Sequence, residues 1–246
     1  MREGNTTRLA KALAQAGISS RRKAEEMIIQ GLVMVNGQVV KELGTIINPD
    51  IDTITVGGNP IKAEKRIYLL LNKPAGFISS VKDTHGRKTV LDLIPDVKER
   101  IFPVGRLDYD SRGLLLLTND GEFANLITHP RYEISKEYEV WCKGRISDDA
   151  IMKLEKGIIL DGEVTAPARV RLLRHTSAKS LVSIQIREGR KHQVKRMMES
   201  VGFPVFELKR VKLAFLELNG LPEGRFRHLT SREVELLMKQ AWGKIS

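Results

Sequence analysis

Apolar positions along residues 6–56 first recur at helical spacing and then shift to short β-like runs. Leu9, Ala10, Leu13 and Ala14 predict one helix, broken by Gly17-Ile18-Ser19-Ser20, whose serines also offer a cap to a second helix. That second helix carries Ala24, Met27 and Ile28 on one face and stops at Gly31. Leu32 to Val35 and Gln38 to Val40, separated by Asn36-Gly37, read as a hairpin with a tight primed turn. Gly57-Gly58-Asn59-Pro60 and the charged stretch Lys62 to Arg66 read as a linker, so a domain boundary is expected at 57–66. Strands are predicted beyond it at Ile67 to Leu71, Leu114 to Leu117, Ile134 to Trp141, Ala168 to Leu173 and Leu181 to Ile186. Helices are predicted at Glu122 to Thr128, Asp148 to Lys156, about Lys191 to Val201, and Ser231 to Trp242. The pattern is that of an α+β chain with a small first domain and a larger mixed one at 67–246.

Composition narrows the chemistry. The longest uninterrupted apolar run is Ile67 to Leu71, far short of the roughly 20 residues that a membrane-spanning helix needs. The first seven residues lack the apolar stretch of a secretory signal, so a cytoplasmic location is expected. A single cysteine, Cys142, excludes an internal disulfide and a cysteine zinc cluster. Five scattered histidines give no metal-ligand spacing, and both Gly-x-Gly and Gly-Lys-Ser/Thr are absent. No metal and no cofactor are therefore expected.

The formal charge is +11, from 41 Lys and Arg against 30 Asp and Glu. Residues 1–65 hold only nine basic residues against seven acidic ones, so most of the excess lies in the second domain. Residues 187–212 alone carry eight basic residues against three acidic ones, a plausible footprint for a nucleic-acid backbone. In the first domain, Arg21, Arg22 and Lys23 open the second helix, where backbone amides already favour anions. Glu25 and Glu26 follow directly, so a solvated helix face is the competing reading.

The segment from Gly105 to Gly121 is the most informative. If Arg106-Leu107-Asp108 is extended, Arg106 and Asp108 point one way and Leu107 the other. Leu114 to Leu117 then reads as a strand buried on both faces, ended by a turn at Asn119-Asp120-Gly121. By spacing alone, Asp108 is either a turn former or a carboxylate held at the rim of a sheet.

Two resemblances bear on these residues. The stretch Arg8 to Val56, with Ala16-Gly-Ile-Ser-Ser-Arg-Arg-Lys-Ala-Glu25, Val35-Asn-Gly37 and a closing Ile51 to Val56, resembles the small RNA-binding module of ribosomal protein S-four. That likeness implies structured RNA as partner, with Arg21, Arg22 and Lys23 as contacts. Arg106-Leu-Asp108, Ser111, Gly113-Leu114 and Leu117-Thr-Asn-Asp-Gly121 resemble the signature of RNA pseudouridine synthases, as do Asn72-Lys-Pro-Ala-Gly76, Lys136-Glu-Tyr138 and Glu188 to Met197. The nearest groups are the ribosomal small-subunit and large-subunit enzymes, which also carry an S-four-type module. The 191–196 run looks more like the small-subunit members, and the chain length and residues 108–120 at least as much like the large-subunit ones.

The resemblance implies a small αL-type N-terminal RNA-binding domain joined to a catalytic domain built on a mixed, largely antiparallel sheet flanked by helices. It implies isomerisation of a ribosomal RNA uridine, without a cofactor, on free RNA or a pre-ribosomal subunit, by a chain expected to be monomeric. Asp108 carries over as the catalytic carboxylate, Tyr138 as the ring that stacks on an extruded uracil, and Arg190 as the cation paired with Asp108. Arg106 carries over as a contact to the displaced strand or to the phosphate at the flipped site, Leu208 as a further substrate contact, and Lys191, His192, Gln193, Lys195 and Arg196 as RNA contacts. A ribosome-assembly factor that binds RNA and has secondary or lost catalysis is the competing reading.

Overall fold

Residues 6–62 and 64–243 are described by the computed structural model. They divide into two compact units, one running to Arg66 and including Lys98–Arg100, the other formed by the rest of the chain from Ile67. Ala63 of the expected linker and residues 244–246 of the expected catalytic domain lie outside the described residues.

In the first unit, β1 (Thr7–Arg8) leads into α1 (Leu9–Gln15) and α2 (Arg21–Ile29), as the apolar spacing predicts. Ser20 caps α2, its hydroxyl accepting from the Lys23 amide at 3.3 Å. Leu9, Leu13, Ala24 and Ile28 bury their side chains in one small core with Val33, Ile47 and Ile54. β2 (Val33–Val35) and β3 (Gln38–Val39) form the expected hairpin, with positive φ at both Asn36 (50°) and Gly37 (80°). β4 (Ile46–Ile47) pairs with β1, while β5 (Ile54–Val56) and β6 (Asn59–Pro60) complete a four-stranded sheet in the order β3-β2-β5-β6. Part of the expected linker is thus built into this sheet: Gly57 and Gly58 are the turn of the β5–β6 hairpin, and Asn59 and Pro60 its second strand.

The second unit begins with β7 (Tyr68–Lys73), a 3-10 turn (Val90–Leu93), β8 (Phe102–Val104) and β9 (Arg112–Thr118). α3 (Gly121–Thr128), a second 3-10 turn (Pro130–Tyr132), β10 (Lys136–Lys143) and α4 (Asp148–Lys156) follow. A short hairpin of β11 (Ile159–Leu160) and β12 (Glu163–Val164) precedes the long strands β13 (Arg169–His175) and β14 (Lys179–Ile186). The chain then forms α5 (Gln193–Ser200), β15 (Val205–Leu213), β16 (Leu216–Glu217), β17 (Phe226–His228) and α6 (Ser231–Trp242).

The strands make one nine-stranded sheet whose main path runs β13-β14-β10-β15-β9-β7-β17. Every pairing in it is antiparallel except β15 with β9, which share only Lys209↔Arg112 and Arg210↔Gly113. The four leucines of β9 show why this sheet is central. Leu115 and Leu117 enter one core with residues of α4 and α5, and Leu114 and Leu116 enter a second with residues of α3 and α6. All four are fully buried, each worth about 1.5–3 kcal/mol of transfer free energy.

Asn119-Asp120-Gly121 does more than turn the chain. Asn119 Oδ1 accepts from the Ile67 amide at 2.8 Å, and Asp120 caps α3 by accepting from the amides of Glu122 and Phe123. β15 is the main element missing from the sequence expectations, and it is the strand that joins the two halves of the sheet.

Candidate active site

Arg106, Leu107 and Asp108 lie on the loop between β8 and β9, and the expected alternation is present: Leu107 is buried while Arg106 is exposed and Asp108 half-buried. This loop is pinned through its backbone. Ser79 Oγ donates to the Leu107 carbonyl at 2.8 Å and accepts from its amide at 3.1 Å. From β7, Lys73 Nζ donates to the carbonyl oxygens of Asp108 (3.0 Å), Ser111 (2.8 Å) and Pro74 (3.1 Å). The Lys73 side chain is fully buried, and burial pushes its pKa down to about 8 against the pull of Asp110 and Asp108. An ammonium with three donors and three carbonyl acceptors is satisfied without a carboxylate contact, which makes Lys73 a backbone staple for the Asp108 loop. The Asn72-Lys-Pro motif points to this lysine but not to its task.

The Asp108 side chain faces a cavity of about 670 Å³ lined by Arg106, Tyr138, Arg190, Lys191, His192, Gln193, Leu208 and Arg210 among others. Tyr138, Arg190 and Leu208, from distant parts of the chain, are therefore brought together with Arg106 around Asp108. β10 supplies Tyr138, buried and cross-strand to Ile184 on one side and Arg210 on the other. β15 supplies Leu208.

The expected Arg190–Asp108 pair is not formed. Arg190 donates instead to the carbonyls of Glu163 (3.3 Å) and Val164 (3.0 Å), and its charge lies near Glu188 (3.4 Å) and Glu163 (3.6 Å). The β11–β12 hairpin captures the guanidinium because its carbonyls and Glu163 lie within reach, a contact without trace in local spacing. Asp108 is flanked by Lys195 Nζ at 3.5 Å and by His192 Nε2 at 3.4 Å. Lys195, one helical turn into α5, bridges Asp108 and Asp110, with the latter at 2.6 Å and held below the usual carboxylate range by that hydrogen bond.

The basic run 191–196 divides by role. Lys191 and His192 are exposed. Gln193 is buried: its Oε1 accepts from the Arg190 amide (2.9 Å) and its Nε2 donates to Glu188 (2.6 Å), so it shapes the turn at the cavity wall. Arg196 is tied to Asp161 by two hydrogen bonds of 2.8 and 2.6 Å. The residue that precedes α5, His192, is left-handed (φ 51°). A left-handed His is uncommon, and it aims the imidazole at Asp108. In the first unit Arg21, Arg22 and Lys23 are exposed at the start of α2, with Lys23 paired to Glu26 at 2.8 Å.

The RNA pseudouridylate synthase family model matches residues 67–200, and the S4 domain model residues 7–50. The chain belongs to the RNA pseudouridylate synthase family. It is 50% identical to the ribosomal large subunit pseudouridine synthase B of Bacillus subtilis over 94% of this chain and 95% of that one. It is 42% identical to an uncharacterized RNA pseudouridine synthase of Aquifex aeolicus, with 94% of each chain covered. A crystal structure of a pseudouridylate synthase superposes with a TM-score of 0.68 at 33% identity, covering 94% of this chain and 99% of the other. This pseudouridine synthase is thus an isomerase of RNA with an S4 domain at its N-terminal side, on the mixed sheet the sequence suggests. No helix among the described residues is long and apolar enough to cross a membrane.

Proposed function

We propose that this synthase isomerises a specific uridine of large-subunit ribosomal RNA, with Asp108 as the catalytic carboxylate and without a cofactor. The observation that carries the reading is the placement of Asp108: its carbonyl is held by Lys73 and the backbone of the preceding Leu107 by Ser79, and its side chain faces the cavity between Lys195 and His192. The 50% identity to the large-subunit enzyme of Bacillus subtilis favours that RNA over the small-subunit one.

Pseudouridine formation breaks the bond from ribose C1′ to uracil N1, turns the base, and joins C1′ to C5. A base inside a helix is beyond the reach of Asp108, so the target nucleotide is turned out into the cavity. Tyr138 stacks on the extruded ring and Leu208 packs beside it. Arg106, exposed on the loop, contacts the strand left behind. Lys195 sets its positive charge 3.5 Å from the Asp108 carboxylate, in the place expected of Arg190, while Asp108 attacks the sugar or takes a proton from it. Arg21, Arg22, Lys23, Lys191 and His192 supply contacts to the RNA backbone, and the chain acts as a monomer in the cytoplasm.

The test is incubation with protein-free ribosomal RNA transcripts, without any cofactor, followed by carbodiimide mapping of pseudouridine. One new stop in large-subunit RNA, absent with Asp108→Asn although RNA affinity is kept, is expected. Product undiminished by Asp108→Asn overturns the site. Tight binding with no stop on naked RNA or on pre-ribosomal subunits favours the assembly-factor reading.

A further inference from the structure

The cavity floor holds a cation that none of the assignments above uses. Arg210, on β15, is only 3% exposed and lines the cavity. Its Nε donates to the Leu114 carbonyl at 2.7 Å, whereas its Nη2 is buried without a hydrogen-bond partner. A buried guanidinium nitrogen left unpartnered is costly, and such groups call for an explanation. No ion pair joins Arg210 to a carboxylate among the described residues. The acids near the cavity are engaged elsewhere: Asp108 and Asp110 with Lys195, Glu188 with Gln193 and Arg190, and Asp83 with Arg87.

Position matters as much as charge. Arg210 is the cross-strand partner of Tyr138, so the two side chains leave the sheet on one face, about 5 Å apart at their Cβ atoms. A ring lying on Tyr138 therefore meets Arg210 at its edge, where uracil carries its carbonyl oxygens. Lys136, two residues before Tyr138 on the same face, also lines the cavity, with its Nζ donating to the Ile134 carbonyl at 3.0 Å. Burial and the neighbouring Arg210 together push Lys136 down to about 8, the mark of two cations sharing a poorly solvated space.

We propose that Arg210, backed by Lys136, is a catalytic residue that holds the negative charge of the uracil ring while it is detached from ribose. This rests on the uridine-isomerisation reading. When the C1′–N1 bond breaks, its electron pair stays on the base, and the charge spreads over N1, O2 and O4. A guanidinium fixed beside O2 or O4 stabilises that anion without reorganising. The charge is discharged when C5 bonds to C1′, the C5 proton is lost and N1 is protonated, so the cation is needed only between the two bonds. The absence of a resident carboxylate follows, since one would neutralise the guanidinium before uracil does.

The test is leaving-group dependence. Single-turnover rates are measured on the mapped target RNA carrying either uridine or 5-fluorouridine, whose detached base is the weaker base and needs less stabilisation. Arg210→Gln keeps a donor for the Leu114 carbonyl and removes the charge. It is expected to slow uridine conversion about 100-fold or more and consumption of 5-fluorouridine by about tenfold or less, with RNA affinity unchanged. Arg210→Lys falls between. Equal losses on the two RNAs, or an undiminished rate on uridine, overturn the proposal. If Arg210→Gln does not fold, Lys136→Gln leaves the Arg210–Leu114 bond intact and gives the same comparison: a smaller loss on 5-fluorouridine supports the proposal, and equal losses overturn it. A wild-type protein inert on every ribosomal RNA and pre-ribosomal subunit removes the functional reading and this inference together, whereas an active wild type with equal losses removes this inference alone.

Discussion

Lys73 holds the Asp108 loop through backbone carbonyls and, on the proposed reading, serves catalysis without touching the substrate. Replacing it with Met leaves three carbonyls, those of Pro74, Asp108 and the buried Ser111, without this donor. We expect Lys73→Met to lower kcat about 100-fold, as a misplaced reacting group does, while the RNA dissociation constant stays within about twofold of the wild type. A shift in affinity with unchanged kcat contradicts this role. The pH dependence of stability reports the same group. The folded-state pKa near 8 lies below the unfolded value of 10.5, so the cost of burying the charge is borne in full below about pH 8. Between there and about pH 10.5 the unfolded chain holds a proton that the folded one has released, and the unfolding free energy rises with pH. Lys136, also near 8, adds a second such proton. Urea titrations at pH 7.5, 9 and 10 are expected to show this rise in wild type and about half of it in Lys73→Met.

At the scale of elements, the seam between β9 and β15 is the narrow point of the sheet. Gly113 there takes φ +102°, and a Cβ on it would run into the Arg210 backbone. Both the backbone conformation and the close approach require glycine. Gly113→Ala is expected to cost roughly 2–3 kcal/mol in chemical denaturation and to lower activity further than that stability loss explains, because Arg210 moves with the seam. Thr230 and Glu233 form a capping box on α6, and Arg227 meets Glu233 at 2.7 and 2.9 Å. The Arg227 hydrogen bonds hold the Glu233 carboxyl down to about 2. Its contribution is complete above about pH 4.5 and fades as pH falls through about 2. Glu233→Gln is therefore expected to lose about 1 kcal/mol at pH 7, with wild type and variant converging in urea titrations near pH 2.

At the scale of the whole molecule, the charge of +11 predicts RNA affinity that falls steeply with salt. Arg21 and Arg22 are exposed at the start of α2 and belong to the S4 match rather than to the cavity. Replacing both with Ala is expected to weaken RNA binding and to reduce the log–log salt slope by about one to two, with the single-turnover rate at saturating RNA unchanged. A lower rate at saturation, or an unaltered slope, counts against their role as backbone contacts.

Much of this architecture is legible in the sequence because its determinants are local. Asn36-Gly37 can form little but a primed turn, Ser20 and Gly31 bracket α2, and four consecutive leucines in β9 have to be buried on both sides. The signature around Asp108 is legible as a run of neighbouring residues, although the loop it marks is held from elsewhere in the chain, by Lys73 and Ser79. β15 escaped because Glu207, Lys209, Arg210 and Lys212 disguise a central strand as a charged loop, and only its pairing with β10 and β9 makes it one. The same physics governs the charges of the site. Sequence determines that Arg190, Lys195 and Arg210 are cations, but which carboxylate each meets depends on contacts across tens of residues of chain. The β11–β12 hairpin takes Arg190, Asp108 is left to Lys195 and His192, and Arg210 keeps a buried nitrogen without a partner. Those pairings fall off within a few ångströms, so they were decided only when the chain closed around the cavity.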